Sequence, residues 1–138
     1  MTSRPGRDRL FAALALVWLL AAGGAAAADW PTPAKAAGDR LRLAFLAANM
    51  LDKEIRPYDI PLRENLDAQY QEFTADFRSR YGARFDTALI DRRHGEAMAG
   101  MAAERLRIIG FAVASTALVW RLLWTIRSLL GREAVGNR

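Results

Sequence analysis

Cysteine is absent from this chain of 138 residues, and histidine occurs only once. The first absence excludes disulfides, thiolate metal sites, a catalytic thiol and a lipidated cysteine. The second excludes a metal cluster built on imidazoles. The sequence also lacks a glycine-rich phosphate loop, a calcium-loop pattern and a G-x-S-x-G nucleophile elbow. Residues 29–107 contain no internal repeat and no low-complexity tract. No metal site, cofactor or catalytic constellation is therefore expected, and a non-enzymatic role is.

An excess of basic charge over most of the chain is lacking too. The formal net charge is +5, but residues 29–107 carry 13 basic and 13 acidic side chains. The surplus lies at the ends. Arg4, Arg7 and Arg9 precede one apolar run, and Arg121, Arg127, Arg132 and Arg138 lie within or after another, with Glu133 the one acid among them. A nucleic-acid binder concentrates cations on the folded surface that meets phosphate. Here they flank apolar runs, so membrane topology explains them and nucleic-acid binding is not expected.

The first run, Leu10–Ala22, is too short for a spanning helix of about 20 residues. With the arginines before it and small residues Gly23–Ala28 after it, residues 1–28 read as a secretory signal cleaved before Asp29. The competing reading is an uncleaved anchor extending through the alanines to Ala28. No arginine pair precedes the run, so a twin-arginine signal is not indicated.

The second run, residues 106–127, reads as a transmembrane helix. Arg121 weakens it, at a cost of about 2.5–3.5 kcal/mol if central and less near an end. Its aliphatic stem can carry the guanidinium toward the C-terminal interface. Trp120 and Trp124 suit the aromatic belt there. The arginines that follow, with Arg105 and Arg107 on the other flank, leave the orientation nearly balanced. The signal, which exports the chain behind it, places residues 128–138 in the cytoplasm as a basic tail. The expected location is the bacterial inner membrane, crossed once, with the bulk of the chain periplasmic.

Residues 29–105 are expected to form a small helical hairpin or bundle, making the protein all-α. Thr32 caps the first helix, with Pro33 in its first position. Ala37, Leu41, Ala44, Ala48, Leu51 and Ile55 form one apolar stripe, and Leu43, Leu46 and Met50 a second. Arg56-Pro57 is expected to end it. A second helix is predicted after Asp59 or Ile60, with Pro61 in its first turn and Gly82 as its stop. Phe85, Leu89 and Ile90 suggest a short third helix, and Asp91–Glu96 a turn. From Glu96 the pattern is helical into the membrane run.

The candidate partner-binding residues fall in two groups. Tyr70, Phe73, Phe77 and Tyr81, continued by Phe85, form an aromatic stripe that suits either a helical core or a docking face. Gly110 and Ala114 form a small-xxx-small pair, and Arg121 is an intramembrane charge that calls for a partner. His94 reads as part of a solvated turn. The acid pairs Asp52 with Glu54 and Asp86 with Asp91 read as a solvated helix surface. The expected function is an accessory or scaffold subunit contacting another membrane or periplasmic protein, or a second copy. The alternative is a membrane-tethered periplasmic ligand- or lipid-binding module using the stripe of residues 70–85 as a pocket wall.

Overall fold

A computed structural model describes residues 5–136, with side chains from Gly6 to Arg132. Arg4, Arg138 and the Glu133 side chain lie outside them. Among the described residues all regular structure is helical: α1 Pro5–Asp29, α2 Pro33–Leu51, α3 Leu66–Tyr81, a 3-10 turn Gly82–Arg84, and α4 Ala88–Gly136. The chain divides into two compact units. One is Pro31–Glu104. The other joins the N-terminal segment through Trp30 to the chain from Arg105 onward.

In the unit Pro31–Glu104, Thr32 Oγ1 accepts the Lys35 N–H at 3.2 Å and starts α2. The predicted stripe is buried at Ala37, Leu41, Ala44 and Ala48. Of the second strip, only Leu43 packs against the core, while Leu46 and Met50 are exposed. α2 stops at Leu51, not at Arg56-Pro57. Asp52 is extended and turns the chain, its Oδ1 accepting the Glu54 N–H at 3.0 Å. Asn49 Nδ2 donates to the Ile55 carbonyl and holds the turn against the helix it leaves.

α3 begins at Leu66, later than the pattern at Pro61 suggests. Asn65 Oδ1 caps it, accepting the Ala68 N–H at 3.0 Å. The extended stretch before it is tied down by the buried Gln69, whose side chain donates to the Pro61 carbonyl at 2.9 Å and accepts the Arg63 N–H at 2.8 Å. A side-chain amide thus satisfies backbone groups that a first helical turn would have satisfied. Leu62 and Leu66 lie over Gly38, each 3.9 Å from where a Cβ would sit. Gly82 ends α3 with φ +56°, a conformation that costs glycine little.

The expected third helix and the turn at Asp91–Glu96 are not formed. Phe85 follows the 3-10 turn, and α4 runs from Ala88 through Leu89, Ile90 and the whole polar stretch. Asp86 Oδ1 accepts the Ala88 N–H at 2.9 Å and Thr87 O accepts the Asp91 N–H at 2.9 Å. Gly95 costs a helix about 1 kcal/mol, and anchorage at both Ile90 and Asp91 offsets it. α4 then continues unbroken into the second apolar run, as its periodicity suggests.

In the other unit, α1 packs antiparallel on the C-terminal part of α4. Asp8 pairs with Arg127 at 2.9 Å, and Trp18 Nε1 donates to Thr116 Oγ1 at 3.3 Å. Arg7 donates to the Leu130 carbonyl at 3.4 Å, and the Arg105 guanidinium lies over the Trp30 ring at 5.6 Å. Both α1 and α4 are long and apolar enough to cross a membrane. The sequence pointed to one C-terminal span; the structure holds two helices that qualify.

Candidate functional site

The helical unit is built around two adjoining apolar clusters. Leu41, Ala44, Phe45, Tyr70 and Ile90 form one; Ala48, Phe77 and Phe85 form the other. The aromatic stripe fills the space between them. Phe73 stacks on Phe77 with centroids 5.7 Å apart, and Phe77 on Tyr81 at 4.4 Å. Phe85 meets Phe77 edge-on at 4.8 Å, and Phe45 of α2 meets Phe73 edge-on at 4.7 Å. Tyr70, Phe77 and Phe85 are buried, and Phe73 and Tyr81 half-buried. An open depression of about 470 Å³ between the end of α3 and the start of α4 touches the stripe only at Phe85.

Beside the stripe lies a polar cluster that no sequence pattern announced. Asp91 Oδ1 accepts from Tyr70 Oη at 2.7 Å and from Arg40 Nη2 and Nε at 2.6 and 3.1 Å. Its Oδ2 accepts from Thr87 Oγ1 at 3.0 Å, and that hydroxyl accepts from Arg78 Nη2 at 3.0 Å. The Arg40 guanidinium also lies 3.8 Å over the Tyr70 ring. Burial alone would raise the Asp91 carboxyl, but hydrogen bonds from Tyr70, Arg40 and Thr87 outweigh it and hold the group below its ordinary value. Burial, with the hydrogen bond to Asp91, pushes the Tyr70 phenol up.

This arrangement ties α2, α3 and α4 at one point. Both Asp91 oxygens are engaged by neighbours of the same chain, so the chemistry on offer is cross-linking of helices. Asp91 is thus a hub, not the surface acid its sequence neighbours suggested. Its cationic partner Arg40 is distant in sequence, and proximity along the chain could not reveal it. Asp86 and Asp52 act on backbone N–H groups at a helix start and a turn. His94 sits on α4, not in a turn. It is half-buried, and its Nδ1 is shielded from solvent with no hydrogen-bond partner.

In the unit of α1 and the end of α4, the half-buried residues Ala112, Thr116, Val119 and Leu123 fall on one stripe of α4. Gly110 and Ala114 lie roughly half a turn away around the helix and are exposed, with nothing within 4 Å of a Cβ built on Gly110. Arg121 is also exposed, and no acidic group among the described residues pairs with it. A shallow groove of about 640 Å³ runs between the helices. Ala22, Gly23 and Ala26 of α1 and Ala112, Ala117 and Arg121 of α4 contribute to it.

No family model, curated protein or solved structure matches this chain.

Proposed function

We propose that the protein is a non-enzymatic accessory subunit of the bacterial inner membrane. It holds its helical unit on the periplasmic side and contacts another membrane or periplasmic protein. The basic ends support this orientation, since Arg7, Arg9, Arg127 and Arg132 gather where α1 starts and α4 ends, and cytoplasmic flanks favour arginine. Tryptophans mark both boundaries. Trp30 stands at the level of Arg105, and Trp124 follows Arg105 by 19 residues, about 28 Å of helix, close to the hydrocarbon thickness.

The observation that carries the contacting role is the groove beside Arg121. Its small residues let a third backbone come close. An exposed guanidinium within the span, with no acidic partner among the described residues, favours an acid or free carbonyls on a neighbour. The rival, a ligand module walled by the aromatic stripe, needs a cavity there, and the rings of the stripe fill one another instead.

The test is quantitative association in mild detergent. Ala117→Leu and Arg121→Leu should each insert normally and lose a co-purifying membrane protein, or the self-associated form. If both keep every association of the wild type, the groove is only an anchor surface and the reading fails.

A further inference from the structure

We infer that α1 is a permanent second span of the mature protein, docked on α4, and not a leader removed after Ala28. This rests on the membrane reading above, but its own evidence is the match between two helices. The uncharged stretch of α1, Leu10–Ala28, has 19 residues. The stretch of α4 between Arg107 and Arg127 also has 19, with Arg121 its only charge. Each is about 28 Å long, one hydrocarbon thickness.

Four contacts fix one antiparallel register: Arg7 with Leu130, Asp8 with Arg127, Trp18 with Thr116, and Trp30 with Arg105. In that register the two apolar stretches lie opposite each other end to end. A discarded leader has no reason to match its downstream span in length and height.

Two residues that a leader does not require also find a purpose. Asp8 interrupts the basic N-terminal region, where an acid weakens the export signal; in the hairpin it neutralises Arg127 at the inner boundary. Trp18 lies mid-run, where its indole N–H has no water to bond, and Thr116 accepts it. The stretch a signal peptidase would need to unfold, Gly23–Ala28, is helical, with α1 continuing to Asp29. Ala22, Gly23 and Ala26 instead line the α1 side of the groove together with Leu19. α1 thus completes the surface assigned to a partner.

The chain has no cysteine, so introduced thiols report without background. The full chain is expressed with an epitope tag at each end and a protease site inserted after the exposed Tyr58. In membranes, both tags should appear on one full-length band. A short bismaleimide should link Asp8→Cys to Arg127→Cys, and Arg7→Cys to Leu130→Cys, so that the tags stay together after the loop is cut. Asp8→Cys with Arg107→Cys, at opposite ends of the span, should come apart. Loss of the N-terminal tag by cleavage after Ala28 overturns the inference, as does linkage of the control pair to the same extent. A cytoplasmic reporter at the C-terminus separates the two proposals: if it is silent while the hairpin links, the orientation is wrong and the docked second span stands.

Discussion

The two units obey opposite rules about where apolar side chains go. In Pro31–Glu104 a set of large ones turns inward as a core, and Leu41, Phe45 and Phe77 are essentially inaccessible. In the unit of α1 and the end of α4 they turn outward, with Leu20 68% exposed, Leu106 70% and Phe111 77%. A water-soluble surface does not tolerate a continuous apolar face of this extent. What distinguishes the units is which partner removes apolar surface from water. In one it is the protein itself; in the other, on the membrane reading proposed above, it is lipid.

The polar groups divide in the same way. The unit Pro31–Glu104 has acids and bases enough to build the Arg40–Tyr70–Asp91–Thr87 cluster at the meeting of three helices. In the apolar unit the Asp8–Arg127 ion pair and the Trp18–Thr116 indole–hydroxyl bond are among the contacts that set its register.

The contrast breaks most visibly at Phe77. Phe77→Ala should destabilise the helical unit by about 3–5 kcal/mol, because it leaves a cavity among three rings. Leu118→Ala, on the exposed face of α4, should change that unit's unfolding hardly at all. Urea titration followed by near-ultraviolet circular dichroism of the full chain in detergent measures both. Equal losses would mean that the two units share one core.

Asp91→Ala comes next, at about 1–3 kcal/mol. Its partner Arg40 is largely covered while the carboxylate side chain is 42% exposed, so the full cost of breaking a buried pair is not expected. The same cluster gives the unit its pH dependence. A carboxyl held below its ordinary value contributes stability that is complete above the unfolded value and lost as pH falls through the depressed folded one. Tyr70, pushed upward, contributes stability below its unfolded value that is lost as pH rises through the raised folded one. Asp91→Asn should flatten the acid limb of a stability profile and Tyr70→Phe the alkaline limb. A profile unchanged in both would remove the cluster from its proposed role.

Trp18→Phe should cost about 1 kcal/mol of α1–α4 association, in line with interhelical hydrogen bonds in lipid. It is read as a weaker link between Asp8→Cys and Arg127→Cys, with the melting of the helical unit unmoved. The smallest effect is expected at His94. His94→Ala should shift stability by less than about 0.5 kcal/mol, since lost packing is offset by removing an unpartnered nitrogen and by alanine's better helix propensity. A large loss of association with unchanged stability would make His94 a contact residue.

Periodicity and punctuation were legible from residues alone wherever the signal is local. Thr32-Pro33 starts α2, Gly82 ends α3, and the stripe from Ala37 to Ala48 is buried, because caps, φ restrictions and helical spacing act within a few residues. The boundaries that shifted were set at a distance. α3 starts after Pro61 because Gln69 reaches back to bond the extended stretch. Asp91–Glu96 is helical because Arg40 and Tyr70 seize its first residue from other helices.

By itself, the sequence determined that the protein is helical, that it has no thiol and a single imidazole, and that apolar runs stand beside its basic ends. These are properties of composition and short-range spacing. Only the tertiary structure decided that the aromatic stripe is filled by its own rings, and that Asp91 belongs to Arg40. It also decided that α1 has a face of α4 to rest on. Each of these is a pairing between residues far apart in the chain, fixed by the free energy of packing and of satisfying polar groups away from water, which no local pattern records.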